Sequence, residues 1–142
     1  MPSGPLVGYF QGMGKPRILV VEDTKMIANV IFDLLSPTCD VTLCFTGKEG
    51  VAKALEERFD LVVTDLVMPD TDGLSLAKIL RQNENYKTAP ILALTAQGKH
   101  GLSPEAEPLF DAYLVKPFGI EDLPVVAARL LAAPPRRAAA KP

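Results

Sequence analysis

Asp60-Leu-Val-Val-Thr-Asp65-Leu-Val-Met-Pro-Asp-Thr-Asp-Gly73 joins a short apolar run to a carboxylate, and the carboxylate to a set of turn residues. The run Leu61 to Val63 suits a buried parallel strand, which reads as a continuous apolar stretch because both of its faces are covered. Pro69 and Gly73 suit the turn after it, where glycine permits backbone geometry that a side chain would forbid. From Gly73 to Gln82 the spacing predicts a helix. Outward from this unit the same pattern recurs. Apolar runs stand at Ile18 to Val21, Val41 to Phe45, Ile91 to Leu94 and Ala112 to Val115. Met26, Ile27, Val30, Ile31, Leu34 and Leu35 repeat at helical spacing until Ser36-Pro37 stops them. Gly47 to Arg58 reads as a second helix, and Leu123, Val126, Ala127, Leu130 and Leu131 form the last apolar stripe. Strand and helix alternate five times. Parallel neighbours need crossover connections, so the expected fold is α/β: a five-stranded parallel sheet with helices on both faces.

The chain has 142 residues, 48% hydrophobic and 23% charged, which fits one globular domain with one core. Residues 16–133 are expected to form it. Residues 1–15 read as a flexible arm in which Tyr9-Phe10-Gln11-Gly12 looks like the end of a protease-cleavage tag, and residues 134–142 as a disordered tail. Fifteen basic residues stand against 17 acids, a net charge of −2 with no basic stripe, which argues against nucleic acid as a direct partner. No apolar run approaches the roughly 18 residues that span a bilayer. With no signal-peptide pattern, the expectation is a cytoplasmic protein without a membrane partner. Cys39 and Cys44 are spaced to face opposite sides of a strand and are read as buried, reduced thiols.

In open sheets of this kind ligands bind beyond the carboxyl ends of the strands. Those ends carry Glu22-Asp23, Asp65, Thr95 and Lys116. Crowded carboxylates repel and raise one another's pKa unless a cation lies among them, and an oxygen-only donor set beside water suits Mg²⁺. A neighbouring lysine and hydroxyl could hold the oxygens of a phosphoryl group.

Four motifs, Ile18-Leu-Val-Val-Glu-Asp23, the stretch from Asp60 to Gly73, Ala93-Leu-Thr-Ala96 and Asp111-Ala-Tyr-Leu-Val-Lys-Pro-Phe118, together resemble a response-regulator receiver domain over about residues 16 to 133. The resemblance implies a flavodoxin-like receiver fold and a phosphorylation switch of two-component or phosphorelay signalling, not a turnover enzyme. Asp65 is implied as phosphoacceptor from a phosphohistidine on a sensor histidine kinase or phosphotransfer protein, with a downstream protein target reading the result. Asp23 and Asp65 are implied as Mg²⁺ ligands, with Glu22 in the same acidic pair through water and the carbonyl of Val67 completing the set. Lys116 is implied to contact the phosphoryl oxygens, Thr95 to hydrogen-bond one of them, and Tyr113 to follow Thr95 as an aromatic switch. The Lys116-Pro117 bond is implied to be cis.

Rival readings are weaker. An aspartate-nucleophile phosphatase would want a second acid two residues after Asp65, where Val67 stands. A pseudo-receiver that binds without phosphorylation would not need all the pocket residues. His100, the only histidine, reads as a surface residue, and Gly-Met-Gly-Lys15 lacks the rest of a phosphate loop. One departure from the family pattern concerns output. Gly98, Gly101, Pro104 and Pro108 lie between Thr95 and Lys116, so the fourth helix, expected around Ser103 to Phe110, should be short or irregular. Val67 and Gln97 are implied to flank the path of water to the phosphorylated acceptor, and valine offers that water no hydrogen bond.

Overall fold

The computed structural model describes residues 14–68, 73–96 and 104–134. The five strands are β1 (Arg17–Val21), β2 (Asp40–Cys44), β3 (Leu61–Asp65), β4 (Ile91–Thr95) and β5 (Ala112–Val115), all parallel in the order β2-β1-β3-β4-β5. Among the described residues four α-helices cover them: α1 (Lys25–Leu35), α2 (Gly47–Glu56), α3 (Gly73–Arg81) and α4 (Asp122–Ala132). None is long and apolar enough to cross a membrane.

Side chains alternate across each strand, and each face receives its own helices. Leu19, Val21, Val62, Ile91 and Ala93 pack with Ala54 of α2 and Leu76, Ala77 and Leu80 of α3. Ile18, Val20, Leu61, Val63, Leu92 and Leu94 pack with Ile31 and Leu35 of α1 and Leu123 and Ala127 of α4. Cys44 joins the first cluster and Cys39 the second, both free and buried, so the two thiols do lie on opposite faces.

Two strands run further than their apolar runs. Thr64 and Asp65 pair with Ala93 and Leu94, and Thr95 pairs with Val115. Thr64 is paired on both sides, with Val21 and Ala93, and Asp65 and Thr95 on one, and this backbone pairing holds the polar residues in the ladder, which side-chain hydropathy cannot show. The β4–β5 connection bears out the expectation of an irregular fourth helix. Its residues 97–103, with Gln97 and His100, lie outside the described ones, as do residues 1–13 and 135–142 of the expected arm and tail. The rest of the connection is a turn over 104–106 and a 3-10 turn at Glu107–Leu109 with Pro108 inside it, whose missing N–H rules out continued α-helical bonding there.

Two polar side chains lock the connections on the α2–α3 face. Tyr86, fully buried in the 3-10 turn Glu84–Tyr86, has its hydroxyl 2.7 Å from Ala54 O and 2.8 Å from Glu57 O, and accepts from Phe59 N at 3.2 Å. Arg81, at the end of α3, donates to Leu109 O, Tyr86 O and Ala89 O and pairs with Asp111 Oδ2 at 2.9 Å. Asp111 Oδ2 in turn accepts from Ile91 N, so one guanidinium ties α3 to the starts of β4 and β5.

Candidate functional site

The sheet order brings β1 and β3 side by side at its centre, where the direction of strand progression reverses and open α/β sheets form their crevice. Val21 pairs with Thr64, so the next residues, Glu22 and Asp65, emerge as neighbours. Glu22 N still donates to Cys44 O of β2 at 3.0 Å, and Leu66 N to Leu94 O at 3.0 Å, so neither acid sits on loose backbone. On the far side, Lys116 N donates to Thr95 O at 2.8 Å, which fixes where the lysine leaves β5. The Lys116-Pro117 bond is cis, as expected.

From these anchors the side chains converge. Oxygens of Glu22, Asp23 and Asp65 lie within 4.8 Å of one another. Lys116 Nζ donates to Asp65 Oδ2 at 2.9 Å and stands 2.9 Å from Glu22 Oε1. Glu22 is fully buried while Asp23 is partly exposed, so two adjacent acids live in different media. Glu22 Oε2 accepts from Thr24 N at 3.1 Å. Its Oε1 has the ion contact with Lys116 but no directed hydrogen bond, and is the one buried side-chain polar atom among the described residues without such a partner.

Burial pushes the Glu22 carboxyl above the usual range; the contacts to Lys116 and Thr24 pull it back, while the nearby Asp65 charge adds to the rise. Burial works against the Lys116 charge too, but its contacts with Asp65 and Glu22 outweigh that and raise its pKa above that of an ordinary lysine. The ammonium is therefore charged throughout the neutral range. Three hard oxygen donors, one of them buried without a hydrogen bond, fit a divalent cation such as Mg²⁺.

Thr95 is buried at the end of β4, on the strand next to that of Asp65. Val67 is 81% exposed in the loop just past Asp65, with its side chain turned to solvent. Tyr113 lies three residues before Lys116 on β5, paired with Ala93 and partly exposed. Glu22, Asp23, Asp65 and Lys116 are thus joined by direct geometry, and Thr95 by its strand position. Pro69 falls among residues 69–72, outside the described ones. Gly73 is required for a reason other than the one its turn position suggested. Among the described residues only Gly14 has a positive φ, whereas a Cβ on Gly73 would collide with Asp65 O and lie 3.0 Å from Leu66 Cα. The glycine lets the start of α3 pack directly onto the backbone of Asp65, with Gly73 N donating to Leu66 O at 2.9 Å. No sequence signal marks Thr24 as the donor to Glu22, because the donor is a backbone amide.

Known proteins resemble this chain in sequence and fold. The pattern of the response regulator receiver domain matches residues 18–128. A hybrid signal transduction histidine kinase G of Dictyostelium discoideum is 38% identical over 118 residues, covering 80% of this chain and 3% of that protein. Response regulator ArlR of Staphylococcus saprophyticus is 38% identical over 113 residues, covering 75% of this chain and 48% of the relative. The chain therefore spans half or less of these curated relatives. Among solved structures, the receiver domain of sensor histidine kinase PA1611 from Pseudomonas aeruginosa, which has a magnesium ion coordinated in its active-site cleft, is 33% identical. It superposes with a TM-score of 0.76 over 84% of this chain and all of that one. Chemotaxis response regulator CheY4 of Vibrio cholerae superposes with a TM-score of 0.77 at 30% identity, covering 82% of this chain and 99% of that one.

Proposed function

This chain belongs to the response regulator receiver domain family, and on that premise we propose that it is a Mg²⁺-dependent phosphorylation switch in which Asp65 accepts a phosphoryl group from a phosphohistidine. One observation carries the reading: the Glu22, Asp23 and Asp65 carboxylates meet at adjacent strand ends, with the Lys116 ammonium 2.9 Å from two of them.

Phosphoryl transfer asks little of a protein beyond alignment and neutralisation of spread charge. Asp65, held in the ladder by its pairing with Leu94, points a carboxylate oxygen out of the strand end. That oxygen attacks phosphorus; the O–P bond forms as the P–N bond breaks, and the electron pair of the latter returns to the imidazole nitrogen. Lys116 already touches the acceptor and needs only a small movement to meet the phosphoryl oxygens. Thr95 would supply a hydroxyl from the next strand, and Tyr113 would change rotamer with it. Glu22, Asp23, Asp65 and the carbonyl of Val67 are the groups that would hold Mg²⁺, which neutralises phosphoryl charge when bound. The phosphorylated side chain carries about −1.5 to −2 charges where the free carboxylate carries −1, and biases the surface around Tyr113 between two arrangements. The chain is a signalling module rather than a turnover enzyme.

The donor is a sensor histidine kinase or phosphotransfer protein, and the output a downstream protein target, which histidine kinases and response regulators among the relatives support; the compartment we propose is the cytoplasm. Neither nucleic acid nor membrane is a direct partner. Intact mass after incubation with Mg²⁺ and a small acyl phosphate donor tests the reading. One hydroxylamine-labile phosphoryl group, absent in Asp65→Asn and without Mg²⁺, is expected. Phosphorylation that persists in Asp65→Asn overturns the assignment.

A further inference from the structure

We propose that Thr64 is a positioning residue for phosphorylation: its buried hydroxyl pins the peptide group between Asp65 and Leu66, and so sets how the acceptor carboxylate leaves the strand. The inference rests on the reading of Asp65 as phosphoacceptor, and adds to it a residue that acts through the backbone rather than on the phosphoryl group.

A threonine near the end of a buried strand suits the pleat, because its side chain is β-branched, but its hydroxyl costs stability there unless it is bonded. Thr64 is fully buried, pairs with Val21 of β1 and Ala93 of β4, and falls by alternation on the same face as Val62, the face that α2 and α3 cover. A valine would bury the same shape with no polar atom to satisfy, so packing alone does not call for the hydroxyl. The hydroxyl donates to Asp65 O, at 2.9 Å.

That carbonyl stands where the ladder runs out on one side. The pairing of β1 with β3 ends at Val21 and Thr64, so Asp65 is paired only with Leu94 of β4. The C=O of Asp65 and the N–H of Leu66 belong to one planar unit and point in opposite directions. Leu66 N donates to Leu94 O at 3.0 Å, and Asp65 O, on the other edge of the same unit, accepts from Thr64. Gly73, with no Cβ, closes against that same carbonyl. A turn of this unit changes ψ of Asp65, and with it the direction of the Asp65 side chain relative to the loop that begins at Leu66. Lys116 Nζ holds the tip of that side chain at Oδ2, 2.9 Å away, but divides its charge with Glu22. The Thr64 bond holds its root.

The test compares the full native chain with Thr64→Val, Thr64→Ser and Tyr86→Phe, whose lost buried hydroxyl serves Ala54 O and Glu57 O instead. One readout is growth of the adduct by intact mass, at saturating Mg²⁺ and a fixed concentration of a small acyl phosphate. The other is amide hydrogen exchange at Leu66, set against that at Glu22, whose N–H donates to Cys44 O. Thr64→Val should be phosphorylated roughly tenfold more slowly, less than the about 100-fold that a 1 Å misplacement can cost. Its Leu66 amide should exchange several-fold faster with Glu22 unchanged, a local opening and not a global one. Thr64→Ser keeps the donor and should stay within about twofold of native in both readouts. Tyr86→Phe should lose stability and keep the native rate. Should Thr64→Val not fold, the pair Thr64→Ser and Thr64→Ala differs by the same hydroxyl and takes its place. A native rate in Thr64→Val overturns the proposal. So does equal slowing in Thr64→Ser or in Tyr86→Phe, because the hydroxyl on Asp65 O would then not be the cause. A native chain that takes no phosphoryl group overturns instead the phosphoacceptor reading beneath it, and exchange at Leu66 still decides whether Thr64 pins the peptide.

Discussion

Replacing Gly73 with alanine puts a methyl group against the backbone of the acceptor residue. The added carbon would overlap Asp65 O and lie 3.0 Å from Leu66 Cα and 3.2 Å from Asp65 C, all backbone atoms with no rotamer to change. Relief requires the start of α3 and the end of β3 to separate by a distance on the order of 1 Å, and overpacking of this kind costs about 1–3 kcal/mol. That is a fraction of the roughly 5–15 kcal/mol that holds an ordinary domain, so the variant stays folded at room temperature. The strand end that moves carries Asp65, and a misplacement of about 1 Å can cost about 100-fold in rate. Gly50→Ala separates the two effects. There the Cβ would meet Val21 Cγ2 at 2.7 Å, another overpacked contact, but with a side chain on β1 rather than with the acceptor backbone. Both variants should melt several degrees below native. The rate of phosphorylation by a small acyl phosphate, read as the growth of the adduct by intact mass at saturating Mg²⁺, should fall about 100-fold in Gly73→Ala and within a few-fold in Gly50→Ala. A Gly73→Ala protein phosphorylated at the native rate, or two variants with equal losses, would refute the idea that this glycine positions the acceptor.

Tyr86→Phe removes a buried hydroxyl that serves Ala54 O, Glu57 O and Phe59 N, and should cost about 1–3 kcal/mol in urea unfolding with no change in Mg²⁺ affinity; a loss below about 0.5 kcal/mol contradicts the lock. Burial raises the Cys39, Cys44 and Tyr86 pKa values above those of the unfolded chain. The neutral forms are thereby favoured by folding, so this stability is complete below the unfolded thiol pKa of about 8.5 and declines as pH climbs past it. Urea midpoints should fall from about pH 8.5 upward, and native thiols should react with a disulfide reagent far more slowly than unfolded ones; a midpoint flat to alkaline pH counts against it. Val67→Asn places a hydrogen-bonding group at a position 81% exposed beside the acceptor, and should speed decay of the phosphorylated form severalfold in a chase by intact mass. An unchanged decay rate would show that Val67 does not limit water attack.

What was legible from sequence was local. Each apolar run became a strand because a buried parallel strand needs apolar side chains on both faces, and the helices between them arose from their stripes. The site was legible for the same reason: parallel strands end on one edge, so residues just past the runs had to gather there. Glu22, Asp65, Thr95 and Lys116 were named without knowing which strand lay beside which.

The tertiary structure decided everything that depends on neighbours through space. Glu22 is buried and tied to Lys116, while Asp23 beside it reaches solvent, a difference set by the pairing of β1 between β2 and β3. Gly73 reads in sequence as a flexible turn residue, and is in fact a point of contact between α3 and the backbone of Asp65. Arg81 and Tyr86 drew no reading from sequence, because their partners lie up to 30 and 32 residues away and are largely backbone carbonyls, which every residue possesses and no composition reveals. Hydropathy and spacing report the side chain's own preference. Register and sheet order report which charges share a low-dielectric space, and it is that shared space which makes these acids and this lysine a site.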